Sequence, residues 1–221
     1  MNLCPTFFLS ISILFSISLL SSQGQTEALI NFQQENWKEV GFGKSSDNKF
    51  EYGEKLKVIV SKSNSPTVFK FEEPEDITAF EFDISIMGEM NKAPIETGFE
   101  EDAFFQIGFI VVGDNHLGAM GKMFAPQWVK ELFGFAPEGK GLDKVYFYNV
   151  ASQKSSVNQE RQNPKSKYMY EKIIFTKDET GGKILSYTLP KKLKTTALWI
   201  GAEGDYTSSE FSTTVNKIIL K

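Results

Sequence analysis

The sequence predicts an all-β protein, an antiparallel two-sheet sandwich of jelly-roll-like form with one short helical insertion. Three observations carry this expectation. From Leu29 onward the dominant hydrophobic period is two, the signature of half-buried strands. Turn-rich segments such as 61–66 and 178–182 separate the apolar runs. Only one stretch carries helix signals, which excludes a βαβ architecture.

The strands expected in order are 56–60, 69–71, 79–87, 104–112, 145–150, 170–175, 184–189, 197–202 and 215–220. The clearest is 79–87, where Phe80, Phe82, Ile84 and Ile86 face one way and Glu81, Asp83 and Ser85 the other. The helix is 126–133, after the glycine-rich link 113–121. Pro126 suits a first helical position and Gly134 the C-terminal stop, with Val129, Leu132 and Phe133 as the apolar stripe. Residues 154–167 read as a long polar loop, the kind that carries function on rigid β scaffolds. The opening residues Ile30, Asn31, Phe32 and Trp37 are expected to lie beside the closing run 214–220. Such pairing is usual in carbohydrate-binding jelly rolls, an analogy of fold alone.

Before Leu29 the pattern changes. Residues 7–20 form an apolar run followed by small residues, and Ser22 and Gly24 fit the −3 and −1 positions of a secretory signal peptide. The expectation is a leader over 1–24, cleaved after Gly24, and one β-sandwich domain over 25–221. A spanning anchor needs about 20 apolar residues, and this run is shorter, so no stable membrane anchor is expected after cleavage. The one cysteine, Cys4, lies in the leader and leaves the mature chain thiol-free. A domain of this length buries a large core without disulfides. Cysteine-free export suits a bacterial periplasmic, surface or extracellular protein.

The net charge is −4, and Arg161 is the only arginine. Nucleic-acid recognition relies on clustered arginine and lysine in a basic field, so that class is disfavoured. His116 is the only histidine and sits in a glycine-rich turn without a nucleophile-elbow sequence, which argues against a serine triad. With no second histidine and no mature cysteine, a conventional zinc site is excluded.

Three strands have plainly apolar inner faces, and their other faces read Glu81/Asp83/Ser85, Gln106/Gly108/Ile110 and Trp199/Gly201/Glu203. If those strands share a sheet, one face offers carboxylates, an amide, a large aromatic ring and two glycines that leave room. Sugar sites use this mixture; an ordinary solvated sheet face is the competing interpretation. The candidate ligand residues are Trp199 as stacking platform, with Glu81, Asp83, Gln106 and Glu203 as hydroxyl partners. Tyr146, Tyr148, Tyr168 and Tyr170 offer further rings, though aromatic-rich strands belong more often to the core.

Glu81 and Asp83 also raise glycoside hydrolysis, which needs a pair of carboxyl groups. Jelly-roll glucanases carry a further glutamate at the next position of that face, where this chain has Ser85. A polysaccharide hydrolase is therefore disfavoured. Glu203, Asp205 and Glu210 cluster in the late acidic turn and form a candidate structural calcium site, since calcium needs only oxygen ligands. No other cofactor is indicated.

Several segments in order resemble an uncharacterised family of exported bacterial proteins, known as a domain of unknown function with a jelly-roll-like sandwich. They are Trp37, residues 101–105 leading into the strand through Val112, residues 146–150, Asn163-Pro164, and the turn 201–208 with the closing strand. The family's late turn tends to an Asp-x-Asp-Asn-Thr pattern, of which Asp205, Tyr206, Thr207 and Ser208 keep only part. The resemblance implies a fold and a compartment, and no functional residue. The sequence thus points to an exported non-catalytic β-sandwich protein whose partner is a polysaccharide or glycan. The alternative is a structural or protein-interaction component of the cell envelope, whose partner is an envelope protein.

Overall fold

A computed structural model describes residues 27–43, 47–92, 99–164 and 166–221; the expected leader and cleavage site lie outside the described residues. The strands are β1 (Ala28–Leu29), β2 (Trp37–Glu39), β3 (Lys49–Glu51), β4 (Leu56–Ser61), β5 (Asn64–Glu89) and β6 (Ala103–Gly113). After helices α1 (Ala119–Phe124) and α2 (Gln127–Gly134) come β7 (Gly141–Ala151), β8 (Glu160–Gln162), β9 (Met169–Thr176), β10 (Leu185–Glu203) and β11 (Glu210–Leu220). The protein is all-β, as its alternation predicts.

The expected division into two sheets gives way to one hydrogen-bonded path, β3-β4-β11-β5-β10-β6-β7-β9-β8, with β1 on β11 and β2 on β5. The reason is the length of two strands. The expected strands 69–71 and 79–87 are parts of the 26-residue β5, and 184–189 and 197–202 are parts of the 19-residue β10. β5 and β10 pair antiparallel from Leu185↔Phe82 to Glu203↔Asn64, with register shifts between Thr188 and Leu193 and between Thr195 and Ala197. Such irregularities bend a strand and increase its twist.

Because the long strands bend, their two halves carry different neighbours. The second half of β5 pairs with β11, and the second half of β10 pairs with β6. β5 and β6 share no ladder, yet Phe80 meets Phe109 and Phe82 meets Phe105, each pair of ring centroids 5.2 Å apart. The main core fills the space between them, with Leu56, Val58, Leu198, Ile200, Val215 and Ile218. Thr213 of β11 spans the same gap, its Oγ1 donating to the Phe104 carbonyl at 2.6 Å.

Chain opening and closing do pair: Ala28 lies opposite Leu220, and the Ile30 amide donates to the Ile218 carbonyl at 3.1 Å. The pairing is not antiparallel throughout, because β7 and β9 run parallel. A parallel pair needs a crossover of about a dozen residues or more. Residues 152–168 supply it, and part of that supposed loop becomes β8, antiparallel to the far side of β9. In the helical insertion Pro126 is the N-cap residue rather than the first helical one. A second helix, α1, occupies part of the stretch expected to be a link. Among the described residues no helix is long and apolar enough to cross a membrane.

The outer face of β10, β6 and β7 is not a solvated surface. Val68, Ile110, Val145, Phe147, Ala197 and Trp199 form a second apolar cluster there, covered by Val40, Phe42 and the α2 residues Trp128, Leu132 and Phe133. Two layers of packing on one sheet make the inner core the dominant stabiliser. Phe82→Ala, at a site 1% exposed, is expected to cost about 3–5 kcal/mol. It should lower the urea midpoint without changing the denaturant slope, whereas Met87→Ala, at a site 73% exposed, should leave it unmoved.

Candidate functional site

On this covered outer face the packing leaves a cavity of about 270 Å³. Alternation along β10 points Trp199 and Glu203 into it, and the same alternation on β6 points Gln106. Register then brings the strands into line: Gly201 lies opposite Gln106, and Trp199 opposite Gly108. β7 and β9 extend the wall, with Phe147 opposite both Gly108 and Glu171. Phe42 and Trp128 close one side, and Asn64, Asp102, Asp205 and Tyr206 border the other.

Three of the expected ligand residues therefore meet in one place, and two do not. Glu81 lies opposite Ser186 and Ile219 and accepts from the Lys221 ammonium at 2.5 Å. Asp83 lies opposite Lys217. Both belong to the half of β5 that pairs with β11, whereas Trp199 lies opposite Val68 in the other half. The premise that all three polar faces share one surface fails at the bend. The paired carboxylates that raised glycoside hydrolysis are outside the cavity for the same reason.

Trp199 also differs from the stacking platform expected of it. It is 3% exposed, with Phe42 tilted over it at 6.0 Å and the Phe147 ring edge-on at 5.3 Å. No open indole face remains for a sugar ring. Gly108 does not leave room for a ligand either, since a Cβ there would stand 2.6 Å from the Phe147 ring. Its room is taken by that ring. The expected tyrosines lie elsewhere: Tyr148 is core, and Tyr146 packs on Tyr170 at 5.8 Å.

The calcium triad is not assembled. Glu203 and Asp205 border the cavity, but Glu210 begins β11 and faces Lys62 across 3.7 Å. The turn between Glu203 and Glu210 sends the third carboxylate to another part of the sheet. Among the described residues no group of three or more histidine, cysteine or acidic side chains is placed to hold a metal ion.

The residue that organises one wall of the cavity belongs to no motif in the sequence. Arg161 of β8 donates from Nε to Glu171 Oε2 at 2.6 Å, and from its two terminal nitrogens to both oxygens of Glu101 at 2.7 and 2.9 Å. Its guanidinium lies 4.1 Å from the Phe99 ring centroid. Burial works against its charge, but its hydrogen bonds to the two carboxylates outweigh that and raise its pKa further. Asn163 adds a bond to Glu171 Oε1 at 2.8 Å. The signal available in the sequence was that a chain with 24 basic residues uses arginine once, and arginine is the residue for bidentate, partly buried carboxylate pairs.

The other carboxyl groups are held differently. Asp102 is 2% exposed and accepts from the amides of Tyr206 at 3.3 Å and Thr207 at 2.7 Å. Burial raises its pKa, opposed by the Thr207 bonds. Glu203 receives only the Asn64 amide, at 3.2 Å, among the described residues. Burial first, then the charges of Glu171, Asp102 and Asp205, push its carboxyl well above the ordinary range. Gln106, 3% exposed, and the Trp199 indole nitrogen have no hydrogen-bond partner among the described residues. A partly enclosed cavity whose lining polar groups keep hydrogen-bonding capacity is the arrangement a polar ligand completes.

No family model matches the chain, and no curated protein matches it, so the resemblance to the exported bacterial family gains no support there. Among solved structures, one described as "Structural analysis of an exo-beta-agarase" aligns with a TM-score of 0.28 at 10% identity. The alignment covers 90% of this chain and 24% of that one. A likeness at that score carries no argument about this chain.

Two expectations follow. Arg161→Met leaves Glu171 and Glu101 without their shared cation and should cost about 3 kcal/mol, read as a lower urea midpoint. Arg161→Lys should recover little of it, because an ammonium cannot reproduce the fork. Glu203 holds its proton more tightly folded than unfolded, so its contribution to stability is full below the unfolded-chain value and is lost as pH rises through the folded one. The urea midpoint should therefore fall as pH rises past about 4.3, the free glutamate value. Glu203→Gln should flatten that fall, leaving a remnant of the same sign from Asp102.

Proposed function

We propose that the protein is an exported, non-catalytic binding protein of a bacterial envelope that takes one saccharide unit of a glycan into the cavity beneath α2. The observation that carries this reading is the meeting of Trp199, Gln106 and Glu203 around one sheltered space, with the Gln106 amide unpartnered among the described residues. Gln106 and Asn64 supply the amides that fix hydroxyl orientation. The ring contact passes from Trp199, which is covered, to Trp128 and to Tyr206, which is 52% exposed at the cavity rim. Export rests on the leader, and binding without catalysis on the displacement of Glu81 and Asp83 from the site.

The cavity volume, about 270 Å³, lies just under the range of about 300–1,000 Å³ usual for drug-sized ligands. That fits a single sugar unit better than a long buried chain, with the rest of a polysaccharide running past Tyr206. Affinity electrophoresis through glycan-loaded gels checks this. Retardation by at least one neutral or amine-bearing polysaccharide is expected. Gln106→Ala and Trp128→Ala should each weaken it about tenfold, roughly 1.4 kcal/mol. Glu81→Ala should not, and equal retardation of all four proteins would place the site elsewhere.

A further inference from the structure

The cavity's polar groups are of two kinds. Gln106, Asn64 and the Trp199 indole are neutral and suit hydroxyl groups. Asn163, Ser166 and the Tyr206 hydroxyl are neutral as well; the charged groups are acidic, Glu101, Asp102, Glu171, Glu203 and Asp205, with Arg161 the one cation among the described lining residues. Arg161 is committed on all three nitrogens to Glu171 and Glu101. It offers no free fork to a ligand carboxylate or sulfate. An anionic sugar entering here would meet Asp102, Glu171 and Asp205 in a sheltered space, where like charges cost most.

The carboxyl groups are not equivalent. Asp102 is occupied by Tyr206 and Thr207, and Glu171 by Arg161 and Asn163. Glu203 holds one long bond from the neutral Asn64 and keeps acceptor capacity on the cavity side. It shares that cavity with the rings of Phe42, Trp128 and Tyr206. A carboxylate combined with aromatic faces is the arrangement that holds an ammonium group out of bulk water. Deepening the saccharide reading, on which this inference rests, we propose that the bound unit carries a free amine, an unacetylated hexosamine whose ammonium docks on Glu203.

The proposal has a consequence that neutral sugars do not share. Glu203 is faced by Asn64 from β5, Asp102 from the segment before β6, Gln106 from β6, Glu171 from β9, and Asp205 and Tyr206 from the turn after β10. None of these is a cation, and Arg161 on β8 is turned to its own two partners. Burial and the neighbouring acidic charges therefore favour the protonated form of this carboxyl in the free protein. An ammonium at hydrogen-bond distance reverses the balance and favours the carboxylate. Binding of an ammonium group therefore lowers the proton affinity of Glu203 and releases protons to solvent, whereas a neutral hydroxyl in the same place does not.

Isothermal titration of the purified protein with glucosamine, N-acetylglucosamine and glucose oligomers of equal length and linkage tests this. The glucosamine oligomer should bind about tenfold more tightly than the other two. Repeating the titration in buffers of different ionisation enthalpy should show proton release for that oligomer alone. Glu203→Gln should abolish both the preference and the release while retaining weak binding of the neutral oligomers. Equal affinity for the three oligomers, or a preference that survives Glu203→Gln, overturns the amine assignment and leaves the saccharide reading standing. Binding of none of them removes the saccharide reading and this inference with it. Should Glu203→Gln fail to fold, the proton count on the wild-type protein decides alone.

Discussion

The antiparallel pairing of β5 with β10 is the constraint on which the rest of the protein depends. These strands run to 26 and 19 residues, against the usual 5–6 or so, and they stay paired through two register shifts. Each strand therefore serves two environments. Near Phe82 and Leu185 the pair carries β11 on the β5 side; near Val68 and Trp199 it carries β6 on the β10 side. The bend turns one sheet back on itself and encloses the phenylalanine-rich core. It also decides which polar residues are neighbours, which is why Glu81 and Trp199 do not meet.

A second constraint is electrostatic. The parallel pair β7 and β9 requires a crossover, and the crossover carries Arg161 over the outer face. There a single guanidinium ties β8 to Glu171 of β9 and to Glu101 ahead of β6. A buried charge is retained only when its partners are well placed, and here the fork geometry satisfies both carboxylates. With Glu171 and Glu101 occupied, the partly buried Glu203 is left facing the cavity with only an amide for company, beside the solvent-exposed Asp205 at its border.

Much of the fold was legible in the sequence because alternation is local. Every apolar run read as a strand lies within one, save Ile184 just ahead of β10, and the inner faces of Phe80/Phe82, Phe105/Phe109 and Leu198/Ile200 are core as expected. What alternation does not encode is which strands adjoin. Alternation put each residue on its face of the strand, yet only the outer faces of β6 and β10 share a surface, because adjacency is set by long-range register. The covering of Trp199 was equally invisible, since Phe42 and Phe147 reach it from distant parts of the chain. Asp205 and Glu210 are close in sequence but are separated by a turn and a strand start. Arg161 sat in a segment with no periodicity, and only its uniqueness marked it.

The central claim is that the cavity beneath α2, and no other surface, receives the ligand. The three tryptophans of the chain make this directly measurable by nuclear magnetic resonance during titration with a glucosamine oligomer. The indole N–H signals of Trp199 and Trp128 should shift together with the Gln106 side-chain amide. The Trp37 indole, which donates to the Asn31 carbonyl at 2.9 Å beneath β5, should not move. Shifts confined to the tyrosine cluster around Tyr146 and Tyr170, or an unchanged spectrum at saturating oligomer, would contradict the account.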